Sequence, residues 1–170
     1  VNRVAPYLGL DTAQPIVDDF SLEAGYRYNV GAVELESGDD GAPHEDPRSS
    51  RARPGSRVPH IWLERDAERL STLDLCGAAE LVLLAGSDGD AWPAGCRRAA
   101  DRLGVPLVCH RIGDDGLTDP DGLFPDACGV SPAGAVLLRP DGFVAWRAHD
   151  AAPADADGLT DVVSTILARD

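Results

Sequence analysis

Residues 80–86 form a continuous apolar run that closes on Gly86, the pattern of a central strand covered on both faces. Just beyond it, Trp92, Cys96, Ala99, Ala100 and Leu103 share one face of a helix that Gly104 stops. Asp88 or Asp90 is expected to cap that helix, and Pro93 suits its first turn. Residues 105–112 predict the next strand. Strand, helix and strand make a βαβ unit, which implies parallel pairing and a right-handed crossover. Residues 134–139 and 143–147 flank Pro140-Asp141-Gly142, and the Asp-Gly pair predicts a hairpin. Leu159, Val162, Val163, Ile166 and Leu167 recur at i, i+3, i+4, i+7 and i+8 of a closing helix that starts near Asp155 or Asp157. Upstream, residues 60–64 and 69–72 predict a hairpin around Arg65-Asp66. Residues 114–121 read as an acidic loop, and residues 122–128 leave room only for a short helix.

The predicted order is β-hairpin, strand, helix, strand, short helix, β-hairpin, helix. That is a thioredoxin-like α/β arrangement: a central mixed sheet of four to five strands, with helices on both faces, preceded by an extended arm. Ser131-Pro132 falls where that fold often keeps a proline facing its active site; a trans bond is expected there. Three segments follow from composition. Residues 1–36 are an N-terminal arm with an amphipathic stretch, in which the alternation of Tyr26, Tyr28 and Val30 predicts a short strand. Residues 37–58, rich in Pro and Gly and nearly devoid of apolar side chains, form a linker that is either flexible or laid over another surface. Residues 59–170 carry the compact thioredoxin-like domain.

The chain has 170 residues and a formal net charge of −14, which argues against nucleic acid or an anionic membrane as partner. No apolar run reaches the roughly 20 residues that span a bilayer, and no signal peptide opens the chain, so a cytoplasmic setting is expected. The chain begins with Val1 and contains no Met, which points to a fragment or a processed product. All 15 basic residues are Arg, so a Schiff-base or P-loop lysine is impossible.

The four cysteines, Cys76, Cys96, Cys109 and Cys128, form no CxxC, so neither a zinc ribbon nor a thioredoxin-type dithiol is encoded locally. Four reduced, mostly buried thiols are expected. Cys96 is the redox candidate, yet the turn where a thioredoxin keeps its thiols carries Asp88 and Asp90, which disfavour a thiolate. Cys96 lies a turn further on, on the apolar stripe. Cys109 and His110 are strand neighbours and point to opposite faces. His44, His60 and His149 are scattered. Asp114, Asp115, Asp119 and Asp121 lack the EF-hand spacing. There is no G-x-S-x-G elbow. Trp62 and Trp146 fall in hairpins, where interface and core roles are both open.

Residues 54–63, 70–75 and 134–147, the last reading Gly-Ala-Val-Leu-Leu-Arg-Pro-Asp-Gly-Phe-Val-Ala-Trp-Arg, resemble the C-terminal domain of FAD-dependent aromatic hydroxylases. The polyketide hydroxylases of the anthracycline and angucycline type are the nearer likeness, and phenol hydroxylase is a more distant one. Gly25-Tyr26-Arg27-Tyr28 is similar to the segment that leaves the substrate domain of those enzymes. The resemblance covers about residues 25–170. It implies a monooxygenase family that uses FAD, NAD(P)H and O₂ in antibiotic biosynthesis. That family binds FAD through an N-terminal GxGxxG, and this chain has none. The expectation is a thioredoxin-like tail with no catalytic, cofactor-binding or metal residue of its own. Its partners would be the FAD-binding and substrate domains of a hydroxylase, or copies of itself. The alternative is a free-standing thioredoxin-like redox or binding protein of a secondary-metabolite pathway.

Overall fold

The structure is a computed structural model that describes residues 19–113, 116–150 and 153–169. The arm's expected amphipathic stretch falls partly on residues 1–18, and Asp114 and Asp115 of the acidic loop also lie outside the described residues. The described part of the arm opens with α1 (Asp19–Ala24).

The strands are β1 (Trp62–Arg65), β2 (Glu68–Ser71), β3 (Leu81–Ala85), β4 (Leu107–Arg111), β5 (Leu117–Thr118), β6 (Ala135–Leu138) and β7 (Val144–Ala148). A four-stranded sheet runs in the order β4-β3-β6-β7. Its β3 and β4 are parallel, whereas β6 is antiparallel to both β3 and β7. Every residue of β3 is buried, as a strand covered on both faces requires.

Side-chain alternation divides the interior into two layers. Val82, Leu84, Val136, Leu138 and Val144 pack with Ile61, Leu63, Leu117, Phe124 and Cys128 on one face. On the other, Leu83, Ala85, Leu137 and Ala145 meet Trp92, Cys96, Ala99, Leu159, Val163 and Ile166. Those last six come from α2 (Trp92–Leu103) and α4 (Pro153–Ile166), which run side by side. The first layer is closed by α3 (Phe124–Cys128) and by a second sheet in the order β2-β1-β5. The expected first hairpin therefore forms, but it belongs to this second sheet.

Two local expectations are corrected. The residue before α2 is Ala91, which makes no side-chain cap; Asp90 instead ion-pairs with Arg111 across the end of β4. The closing helix begins at Pro153, ahead of Asp155 and Asp157. The C-terminal stop of α2 is as expected: Gly104 adopts φ 62° and ψ 40°, and its N–H donates to Ala100 O. No described peptide bond is cis, so Pro132 follows a trans bond.

No strand forms over Tyr26–Val30. Tyr26 makes an isolated bridge with His44, Arg27 N–H donates to Pro43 O at 2.8 Å, and Tyr28 N–H donates to Gly55 O at 2.9 Å. After a bend at residues 30–32, Glu34 N–H donates to Ala145 O of β7 at 2.8 Å. The arm thus changes partners along its length, which no regular ladder allows. Residues 37–58 are laid over the fold. Ala52, Val58 and Ser56 are buried, and Gly55 and Ser56 exchange hydrogen bonds with Val144 along the outer edge of β7.

Candidate functional site

The turn after β3 occupies the place of a thioredoxin dithiol, and its backbone is tightly held. Gly86 N–H donates to Gly134 O at 3.0 Å and Asp88 N–H to Pro132 O at 2.9 Å. A Cβ on Gly86 would lie 2.2 Å from Pro132 O, so no larger residue fits there. Below the turn, Trp92 is fully buried and its indole N–H donates to Ala133 O at 2.8 Å. Asp88 accepts from Ser87 Oγ at 3.1 Å, and Asp90 holds Arg111. A shallow cavity of about 170 Å³ opens beside the turn, lined by Gly86, Ser87, Gly113, Asp119 and Phe124 among others. One Asp119 oxygen accepts from Phe124 N–H at 2.7 Å, which tethers the start of α3. The turn thus presents carboxylates and closed backbone.

Cys96 sits on the inward face of α2, 2% exposed, as its place on the apolar stripe predicts. Its Sγ lies 3.8 Å from Leu107 O, and it is hydrogen-bonded to Cys109. That contact outweighs burial and, with the nearby charge of Arg97, holds the Cys96 thiol below its usual range. Cys76 points its thiol at Thr72 O, and burial pushes it up. Burial pushes the Cys128 thiol up to about 12, which keeps it neutral. All four cysteines are free thiols. His110 faces away from Cys109 toward Arg65, 3.4 Å away, and burial followed by that positive charge lowers it. Among the described residues, no group of three or more His, Cys, Asp or Glu side chains is placed to hold a metal ion.

Two ionic clusters tie the arm to the fold, and sequence reasoning singled out neither. Arg27 is fully buried between Asp39, which it contacts closely, and Pro54 O at 3.0 Å. Arg53 reaches the same Asp39 at 2.9 Å and Asp40 at 2.5 Å. Burial alone would raise the Asp39 carboxyl, but the Gly41 N–H and the two guanidinium groups outweigh it and leave it lowered. Burial raises Glu45, the third acid of this cluster. In the second cluster, Arg147 of β7 grips Glu36, donates to Cys128 O at 3.0 Å, and stands beside His149, whose Nε2 lies 2.9 Å from Glu36. The available signal was the Tyr-Arg-Tyr triplet, which places one Arg between two aromatic side chains of an otherwise polar arm.

The aromatic residues serve as joints. Tyr28 packs edge-to-face on Phe143 with ring centres 4.8 Å apart, and Arg139 stacks over Tyr28 at 4.5 Å. Trp146 is half-buried and meets Trp92 edge-on at 5.9 Å, whereas Trp62 is 41% exposed under the guanidinium of Arg69. His44 and His60 lie edge-on against Tyr26 and Trp62.

The fold and the turn define a thioredoxin-like α/β domain without a local dithiol. The family described as "Aromatic-ring hydroxylase, C-terminal" matches residues 51–169, and the chain belongs to it. It is 50% identical over 154 residues to a tetracenomycin A2 monooxygenase-dioxygenase of Streptomyces glaucescens, covering 87% of this chain and 26% of that protein. It is 43% identical over 173 residues to a 4-methyl-5-nitrocatechol 5-monooxygenase of Burkholderia sp., covering 99% of this chain and 31% of that protein. A solved aklavinone-11 hydroxylase, in ternary complex with FAD and aklavinone, superposes with a TM-score of 0.85 at 39% identity, over 97% of this chain and 30% of that one. The chain thus spans about a quarter to a third of the length of these relatives. No described helix is long and apolar enough to cross a membrane.

Proposed function

We propose that this chain is a non-catalytic thioredoxin-like C-terminal domain of an FAD- and NAD(P)H-dependent aromatic polyketide hydroxylase, with a structural, assembly or substrate-shaping role. The observation that carries the reading is the turn after β3. It has the position of a redox centre, but it holds Asp88 and Asp90 in place of thiols. The same turn does not fit a flavin. A pyrophosphate needs a glycine-lined approach to a helix N-terminus free of negative charge. Here a Cβ on Gly86 would already strike Pro132 O, at 2.2 Å, and two carboxylates precede the helix. FAD and NAD(P)H therefore belong to the other domains of the parent enzyme.

The partners are then the FAD-binding and substrate domains upstream, or further copies of the chain. Phe20, Leu22, Tyr26 and Val30, all exposed on the arm, offer apolar contact area on the side where the chain enters the fold. Four free thiols fit a reducing cytoplasm. The test is to mix the purified chain with FAD and NADPH. A colourless protein that leaves NADPH unconsumed is expected; flavin retention with NADPH oxidation overturns the reading. In a hydroxylase that carries this domain, deleting it should lower thermal stability or disturb assembly, while the remaining enzyme keeps its flavin spectrum.

A further inference from the structure

The turn after β3 lacks sulfur, yet two of the four thiols meet a short way beneath it. Cys96 comes from the inward face of α2 and Cys109 from the edge strand β4. Leu107, whose carbonyl lies 3.8 Å from Cys96 Sγ, and Cys109 are two residues apart and share one face of β4. That face packs into the layer that holds Cys96, and the two thiols are hydrogen-bonded to each other. Their accessibilities differ: Cys109 is half-buried on the open edge, and Cys96 lies behind it, 2% exposed.

We propose that Cys96 and Cys109 form an oxidisable dithiol, closed by a peroxide-class oxidant into a disulfide that staples α2 to β4. The Cys109 sulfur attacks one oxygen of hydrogen peroxide. The O–O bond breaks, an S–O bond forms, and the departing hydroxide takes a proton to leave as water. The Cys96 sulfur then attacks the Cys109 sulfenic acid. The S–O bond breaks, the S–S bond forms, and a second water leaves. Two thiols together lose two electrons and two protons, and one peroxide becomes two waters. Cys96 suits the second step, because its contact with Cys109 and the charge of Arg97 favour its thiolate. Cys76 and Cys128 are disfavoured, since burial raises both. The pair is distinct from a thioredoxin centre: its sulfurs come from helix and strand, thirteen positions apart in sequence.

The test treats the purified full chain with a small excess of hydrogen peroxide, blocks remaining thiols with an alkylating agent, and maps tryptic peptides without reductant. Cleavage after arginine leaves Cys96 within residues 70–97 and Cys109 within residues 103–111. The expected result is an intact mass lower by two hydrogens and a link between these two peptides that dithiothreitol reverses. Cys76 shares the first peptide, so C76S must keep the link. C96S must lose it, with Cys109 passing on to sulfinic acid. Four unmodified thiols, a sulfinic Cys109 without a link in the wild-type chain, or a link that vanishes in C76S would each overturn the proposal. Should C96S fail to fold, the map of C76S decides, because its residues 70–97 then carry Cys96 as their one thiol.

Discussion

Glu36 and Arg147, 111 positions apart, meet as a two-point ion pair: Arg147 Nε donates to one carboxylate oxygen at 2.7 Å and Nη2 to the other at 2.9 Å. The Arg147 side chain is 7% exposed and that of Glu36 is 28% exposed, so the pair is only partly screened by water. Its third nitrogen donates to Cys128 O, which brings arm, β7 and the end of α3 to one guanidinium.

Arg147→Ala should therefore cost about 2–3 kcal/mol, because a half-buried carboxylate and a carbonyl lose their donor together. Arg147→Lys should recover only part of this, since an ammonium cannot reproduce the fork. Urea unfolding followed by circular dichroism measures both. A midpoint that does not move in Arg147→Ala would remove the clamp from the account of stability.

Acid should loosen the Arg27 cluster. The folded Asp39 lies below its ordinary value of 3.8, so its contribution is complete above that value and drains away as pH falls through the lower, folded value. Glu45 works in the opposite sense. Its folded value is above 4.5, so the ionised form is disfavoured at neutral pH, and stability is regained as pH falls through the raised value toward 4.5. Asp39→Asn should flatten the loss below pH 4 and lower stability at pH 7, whereas Glu45→Gln should leave neutral-pH stability unchanged or raise it. Thermal melts from pH 2.5 to 7 separate the two.

Alkali tests Cys128. Its ordinary value is 9.0 and its folded value is about 12. The unfolded thiol ionises first, so this group's contribution is intact below pH 9 and is lost as pH rises toward 12. The stability gap between the native chain and Cys128→Ala should narrow above pH 9 in urea titrations, and Cys128 should stay silent to Ellman's reagent until the protein unfolds. A fast-reacting Cys128 in the native state would contradict its complete burial.

Trp92 fills the space between α2 and the sheet. Trp92→Ala should cost about 3–5 kcal/mol through the cavity it leaves. Trp92→Phe should cost about 1–2 kcal/mol, because Ala133 O loses its donor while most of the volume is kept. Both variants lose the indole N–H, so equal costs would mean that the cavity contributes nothing, and a Trp92→Phe cost near zero would mean that the N–H contact contributes nothing.

The elements legible in the sequence are those whose signal is local. The run ending at Gly86, the Asp141-Gly142 turn and the stripe from Leu159 to Leu167 each carry their own period or turn chemistry, and each forms. β5 was not legible, because two residues, Leu117 and Thr118, earn strand geometry only by lying beside Arg65 and Glu64. The tyrosine alternation of the arm misled for a related reason: Tyr26, Tyr28 and Glu34 find their partners in three separate segments. The residues around the turn were legible as a site lacking sulfur. The Cys96–Cys109 contact was not, since the spacing carries no motif. Placing the inward face of α2 over the inward face of β4 is what unites them.

The backbone bonds from Glu34, Gly55 and Ser56 to β7 give this region a further meaning for anyone who trims the chain. A protein started at residue 59 would keep every element from β1 to α4 and still carry a naked strand at the rim of its main sheet. Such a rim is an invitation to self-association, so the smallest well-behaved piece must reach back at least to the tyrosine-rich arm.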